Sequence, residues 1–326
     1  MKLTLRTRES FTAYTFLTAN LIGFLIFMLL PVLFSLVISF FNWQILDKSA
    51  PPTYVEFANY RQLLGFSFSI QQNKLIVAFN DIRFWHFLWN TLFLMIGIPI
   101  GMAVSLFLAV VMNQKLRGIL AYRTVFFLPA VTAGVALYLL WAWVYNEQYG
   151  LLNIILAKTG MIEWMKSVGI LSKARAGVPW LTSAAMAKPA FILMGLWIGA
   201  GGYNMILYLA ALQGVDPELY EAAEIDGANA WKRFWTITWP MISPTTFFIV
   251  IMSVIYGIQG GFQAAYMMTQ GGPEESTTTL SYYVFQTGFK YTQMGYASAI
   301  AWVIFVIIIA VTLINWRFGG RVVHYE

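Results

Sequence analysis

Glu221-Ala222-Ala223-Glu224-Ile225-Asp226-Gly227, followed by Ile237 and Pro240, forms a polar, acid-rich island between two apolar runs at about 186–211 and 242–268. Each run exceeds the ~20 residues a helix needs to cross a hydrocarbon core. A connection between two membrane spans needs only to turn round, yet residues 212–241 are written as two short helices. Asp216 is placed as an N-cap, Pro217 at the first helical position, and Glu218 near the positive end of the dipole. Gly227 supplies the left-handed residue that ends this helix. In the second helix Trp231, Phe234, Trp235 and Thr238 recur at i, i+3, i+4 and i+7, an aromatic stripe flanked by Lys232 and Arg233. Pro240 and Pro244 mark the start of the following apolar run. A hairpin with such a face needs a groove, in its own bundle or in another protein.

Outward from this island the chain is apolar. Hydrophobic residues make up 59% and charged residues 10%, whereas soluble domains carry roughly 25% charged residues. Runs at about 14–41, 84–112, 122–145, 186–211, 242–268 and 294–316 predict an all-α integral membrane protein. It has about six transmembrane helices in a single membrane-spanning domain over residues 1–326. The first run is too long for a cleaved signal peptide and no small-residue cleavage site follows it, so it reads as a retained span. An even number of spans puts both termini on one side. Lys2, Arg6 and Arg8 precede the first span, Arg317 and Arg321 follow the last, and Lys115, Arg117 and Arg123 fill a short loop. The positive-inside rule then places both termini, that loop and the acid-rich island in the cytoplasm, with the protein multi-pass in the cell (inner) membrane. The net charge of +6 reflects this topology, and no nucleic-acid partner is expected.

The chain has no cysteine and only two histidines, His86 and His324, which excludes thiolate metal sites and offers no metal pair. No set of nucleophile, base and metal ligands emerges, so no catalytic residue and no enzyme is expected. Gly-Lys does not occur anywhere, so the chain carries no G-x-x-x-x-G-K-[ST] phosphate loop. An ion-coupled carrier is the competing class. Such carriers keep carboxylates inside the membrane, but all fourteen Asp and Glu residues fall in predicted loops or at span ends.

The same absence bears on cargo. A neutral polyol needs hydrogen bonds and stacking surfaces, and Gln259, Phe262, Gln263 and Tyr266 follow one another at i, i+3, i+4 and i+7. Amides both donate and accept, and aromatic faces pack on sugar C–H faces. Tyr203, Asn204 and Ser298 are further candidates for the path, and Gly257, Gly260 and Gly261 would loosen the fifth span. The competing reading is that such residues glue helices together. Trp141 and Trp143 read as membrane-interface anchors. Lys188, at the outer end of the fourth span, faces an acidic group on cargo or binding protein, or a lipid phosphate.

Outside the membrane, residues 42–83 and 146–187 form two sizeable segments. In the second, 151–155 and 161–168 read as short helices on the membrane surface with Trp164 at headgroup level. They either cap the outer mouth or help to receive a binding protein.

The island resembles the EAA loop of ATP-binding-cassette importer permeases: Glu-Ala-Ala, three residues, Gly, nine residues, Ile, one residue, then Leu-Pro. Glu221, Ala222, Ala223, Gly227, Ile237 and Pro240 fall on that pattern, with Trp239 in place of the usual Leu. Phe57 to Leu64, Trp89-Asn90-Thr91, Leu209 to Gln213, Met268 to Pro273, Thr277 to Leu280 and Gly295 to Ala299 extend the resemblance over nearly the whole chain. They narrow it to the carbohydrate (maltose-type) branch. The resemblance implies a transmembrane permease subunit for a carbohydrate or related polyol; a permease of this kind for a non-sugar solute is the alternative. It also implies a second, different permease, two ATPase subunits that hold ATP and Mg, an external solute-binding protein and membrane lipid. The loop, with Asp226 at its bend, would then be a coupling helix seated on the ATPase, contacted through Glu221 and bent at Gly227.

Overall fold

The computed structural model describes residues 5–46, 51–71, 74–114, 117–132 and 134–319; Lys2, Lys115, Arg321 and His324 lie outside the described residues. The described chain is largely helical, with two small antiparallel pairs, Phe41–Asn42 with Thr53–Tyr54 and Phe66–Gln71 with Lys74–Phe79. Among the described residues, five helices are long and apolar enough to cross a membrane: Thr12–Ile38, Ile82–Met112, Ala184–Gln213, Ala230–Thr269 and Met294–Arg317. The third predicted span consists of two helices, Ile119–Val131 and Gly134–Val144, bent by 96° at their junction; counted as one span, they bring the number to six.

The chain divides into two compact units, Met1–Ile82 with Val284–Phe305, and Arg83–Tyr283 with Val306–Glu326. In the first unit the long N-terminal helix is interrupted by a π-helical turn at Leu25–Leu29, just before Pro31. Proline has no N–H to donate and its ring crowds the carbonyl four residues back. Widening the preceding turn accommodates both defects. Behind this span, the buried Asn59 donates to the carbonyls of Ser39 (2.8 Å) and Phe41 (3.1 Å), and Ser39 and Tyr60 share a hydroxyl contact of 2.7 Å. Tyr296 donates to Asp81, Trp302 donates to Ser35 (3.1 Å), and the Phe41 carbonyl lies where a side chain on Gly295 would stand. These contacts explain Phe57–Tyr60 and Gly295–Tyr296 as a clamp between the first and last spans.

The core of the second unit forms where Gly97–Met112, Tyr203–Gln213 and Trp239–Gln259 meet. Ala109, Met112, Met205, Tyr208, Leu209, Leu212, Ile242 and Ile249 are its buried residues. In a membrane such packing gains little from water exclusion and depends on close approach, which small residues permit. Gly257 serves that purpose: a Cβ there would lie 2.7 Å from Ile98, so this glycine lets helices touch and does not loosen the span. Trp141 is likewise no interface anchor. It is buried and packs on Tyr145 and Trp197 at centroid distances of 5.0 and 5.4 Å, whereas Trp143 is exposed. Lys188 sits over the Phe93 ring at 5.3 Å.

Candidate functional site

The acid-rich island folds as a capped helix. Asp216 accepts from the Glu218 N–H at 2.9 Å, Pro217 opens the helix Pro217–Ile225, and Gly227 stands at φ +75°. The N–H of Gly227 meets the Glu224 carbonyl (3.0 Å) and that of Ala228 the Ala223 carbonyl (2.9 Å), a paired closure of the helix end. Asn229 then caps the next helix through the Lys232 N–H at 2.9 Å.

The second arm differs from expectation. It is not a separate short helix: Ala230–Arg233 runs through a π-helical turn, Phe234–Thr238, directly into Trp239–Gln259. Pro240 is the cause, by the same widening seen before Pro31. Here the Trp239 N–H reaches back to the Phe234 carbonyl. Two rungs tie the arms: Tyr220 to Thr238 at 2.9 Å and Arg233 to Glu224 at 3.1 Å. The aromatic stripe runs along the second arm, Trp231 edge-on to Trp235 at 5.7 Å and Trp235 tilted against Trp239 at 5.7 Å, and Trp239 packs on the helical core. At the tip Ile225 (87%) and Trp231 (71%) stand in the open. Glu221, Ala222, Asp226 and Gly227 are exposed, while Ala223, Ile237 and Pro240 are half-buried.

The path candidates gather at helix interruptions. The fourth span breaks at Gly201-Gly202, between Ala184–Ala200 and Tyr203–Gln213, which puts Tyr203 and Asn204 in the first turn after the break. The fifth breaks at Gly260-Gly261, extended and left-handed respectively, between Trp239–Gln259 and Phe262–Ala264. The expected stripe from Gln259 to Tyr266 is therefore not continuous. Gln259 ends one helix; Phe262, Gln263 and Tyr266 belong to the next. Phe262 stacks on Tyr266 at 5.7 Å and 11°, and Tyr282 closes the group at 6.1 and 6.2 Å.

The bent third span adjoins both breaks. A Cβ on Gly202 would meet Ala130 at 3.4 Å, Tyr203 lies edge-on to Phe127 at 5.9 Å, and a Cβ on Gly134 would meet the Gln263 amide oxygen at 3.2 Å. Only a few residues separate Ala130 from Gly134, at most ~3.6 Å of chain each, so the three interruptions share one neighbourhood. Ser298 is half-buried on the last helix and belongs to the other unit. Phe127 and Tyr282 are the members that the sequence does not single out, since neither falls on the period of the stripe.

The break at Gly260-Gly261 is braced from the loop beyond it. Ser281 donates to the freed carbonyl of Gln259, and Thr279 fills the space beside Gly261, where a Cβ would lie 2.5 Å away. That loop is held in turn by Asn90, which donates to the carbonyls of Glu275 (2.9 Å) and Thr278 (3.0 Å), and by Thr91, which accepts from the Leu280 N–H (3.0 Å). Trp89-Asn90-Thr91 and Met268–Leu280, far apart in sequence, are two halves of one lock.

Residues 97–323 match the family described as "Binding-protein-dependent transport system inner membrane component". The probable ABC transporter permease YesP of Bacillus subtilis (strain 168) is 32% identical over 98% of this chain and 94% of its own length. The lactose transport system permease LacF of Rhizobium radiobacter is 33% identical over 89% of this chain and 88% of its own. Among solved structures, a chain of a bacterial ABC transporter involved in the import of the acidic polysaccharide alginate shares the fold with a TM-score of 0.75 at 22% identity, covering 96% of both chains. Up to six candidate spans with a capped hairpin between the fourth and the fifth, and relatives of this kind along almost its full length, make this chain a member of the inner-membrane permease family of binding-protein-dependent ABC transporters.

Proposed function

We propose that this chain is the translocation subunit of an ATP-driven importer for a neutral carbohydrate or related polyol, with the acid-rich hairpin as its coupling element. The observation that carries the reading is mechanical. The second arm of the hairpin and the first part of the fifth span are one helical rod from Ala230 to Gln259, roughly 45 Å long at about 1.5 Å per residue. One end stands in the exposed hairpin tip and the other at the Gly260-Gly261 break beside Gln263. Closure of two ATPase subunits on ATP and Mg would displace the hairpin, and a rod transmits that displacement to the break without dissipating it. The chain has no phosphate loop of its own, so both nucleotide and metal belong to those partners. The positive-inside pattern supports a cytoplasmic hairpin and cytoplasmic termini.

Relatives named for lactose transport and for sn-glycerol-3-phosphate transport, and a structural neighbour described with an alginate pentasaccharide-bound periplasmic protein, support a hydroxyl-rich cargo. That cargo would be delivered by an external binding protein to a heterodimer with a second permease. At the interruptions, freed backbone groups, the Gln259 and Gln263 amides and the Phe262–Tyr266–Tyr282 rings offer the donors, acceptors and flat faces a sugar ring needs. None of these residues carries charge, which favours a neutral ring over an anionic one.

The reading is tested by reconstitution. Vesicles holding this chain, its partner permease and the ATPases should accumulate the sugar bound by the solute-binding protein only with ATP. Accumulation by this chain alone under an ion gradient, without nucleotide, would overturn the proposal. Gln263→Leu should lower uptake efficiency about tenfold, the worth of a net hydrogen bond of roughly 1–1.5 kcal/mol, while the ATPases still co-purify. Unchanged uptake kinetics would remove Gln263 from the path.

A further inference from the structure

We infer that the helix pair Leu151–Lys158 and Met161–Ser167 is a membrane-surface anchor that lies in the headgroup layer of an anionic bilayer. The inference rests on the chain being a membrane protein and is independent of its cargo. Each helix has an exposed apolar stripe at i, i+3 and either i+4 or i+7: Leu151, Ile154 and Ile155 on the first, Met161, Trp164 and Val168 at the second and its C-cap. All six are between 41% and 54% exposed. A helix that is apolar on its buried side and again on its open side is not finished by water.

The rotation of the first helix is locked, so the stripe cannot roll inward. Asn153, 4% exposed, donates to the carbonyls of Asn146 (3.2 Å), Glu147 (3.2 Å) and Val178 (3.0 Å), and accepts from the Val178 N–H and the Trp180 indole. The pair also starts at membrane level. Gly150, which precedes it, donates to the Asn146 carbonyl at 3.1 Å, one tight turn after the helix Gly134–Val144 ends.

Charge selects the occupant. Glu147 is paired with Arg175 and Glu163 with Lys166, both at N–O distances of 3.0–3.1 Å. Lys158, in the last turn of the first helix, and Lys173, in the segment that follows the second, have no carboxylate partner among the described residues. Open apolar rows, an indole and surplus ammonium groups together match lipid phosphates above an acyl boundary.

The chain lacks cysteine, so Ile154→Cys, Val168→Cys and, off the stripe, Glu163→Cys can each carry a single fluorophore. These are measured in the assembled importer, in vesicles of phosphatidylethanolamine and phosphatidylglycerol. Brominated acyl chains should quench labels at 154 and 168 strongly, with a depth of about 5–10 Å below the phosphates. Aqueous iodide should quench the label at 163 more than either of these. Lys158→Gln with Lys173→Gln should shift the labels at 154 and 168 toward iodide. Equal iodide quenching at all three positions would overturn the inference. So would shielding from both quenchers, the mark of cover by the partner permease, or shielding that arises only when the solute-binding protein is added.

Discussion

Gly201→Ala is expected to lower uptake severely, while Gly199→Ala, two residues earlier, leaves it near normal. A Cβ at Gly201 would lie 2.1 Å from the carbonyl oxygen of Phe126 and 2.6 Å from its carbonyl carbon, whereas one at Gly199 meets nothing within 4 Å. Phe126 offers backbone there, which cannot rotate aside as a side chain would. The φ of −94° at Gly201 is ordinary for any residue, so the demand is for space alone. Overpacking of this kind costs about 1–3 kcal/mol, and here it is relieved only by pushing the helix Ile119–Val131 off the break that carries Tyr203 and Asn204. If transport depends on that geometry, roughly a five- to 150-fold loss follows from the same energy. Uptake in vesicles, with the amount of each variant in the membrane measured alongside, decides it. Gly201→Ala transporting as well as Gly199→Ala would mean that the convergence of the three interruptions has no part in transport.

The membrane class was legible because it depends on length and composition, which no packing detail can reverse. The caps of the first arm were legible for a related reason: Asp216, Pro217 and Gly227 act through backbone atoms within a few residues of themselves. What sequence could not supply was continuity. Pro240 reads as a helix boundary, yet a π turn absorbs it, and the second arm and fifth span become one rod.

Gly260-Gly261 erred in the opposite direction. Read by period alone, Gln259 to Tyr266 is one stripe; the left-handed Gly261 ends that register and starts another. Glycines that look alike in sequence divide into one that lets helices touch (Gly257), one that turns the chain (Gly261) and one that admits a neighbouring carbonyl (Gly201). Only the partner atoms tell them apart. Trp141 shows the same limit, since an indole near a span end suits a headgroup layer or an aromatic core equally well. The brace that Asn90 and Thr91 give to Glu275–Leu280 spans more than 180 residues of sequence, and no local pattern carries it.

Gly227→Pro and Glu221→Lys should each stop transport by different routes, which separates stiffness from contact in the hairpin. Gly227 has φ +75° and nothing near its Cβ position, so the demand there is conformational. Proline fixes φ near −65° and removes the N–H that closes the helix on Glu224. The bend must then re-form elsewhere, with the rungs Tyr220–Thr238 and Glu224–Arg233 lost. The ATPases are expected to remain associated in part and to hydrolyse ATP without uptake. Gly227→Ala, at a left-handed cost of about 1–2 kcal/mol, should fall between proline and the native chain. Glu221 is exposed on the first arm, so reversing its charge leaves the fold alone. If it meets a cation on the ATPase, opposing like charges should cost at least the ~2–5 kcal/mol of a broken buried pair. At about 1.4 kcal/mol per decade, association weakens roughly 30- to 3,000-fold, and the ATPases should no longer co-purify in mild detergent. Both variants should still reach the membrane in normal amount. Near-normal uptake in the two together would exclude the hairpin as the point where force enters, and the rod from Ala230 to Gln259 would then be a strut with nothing to transmit.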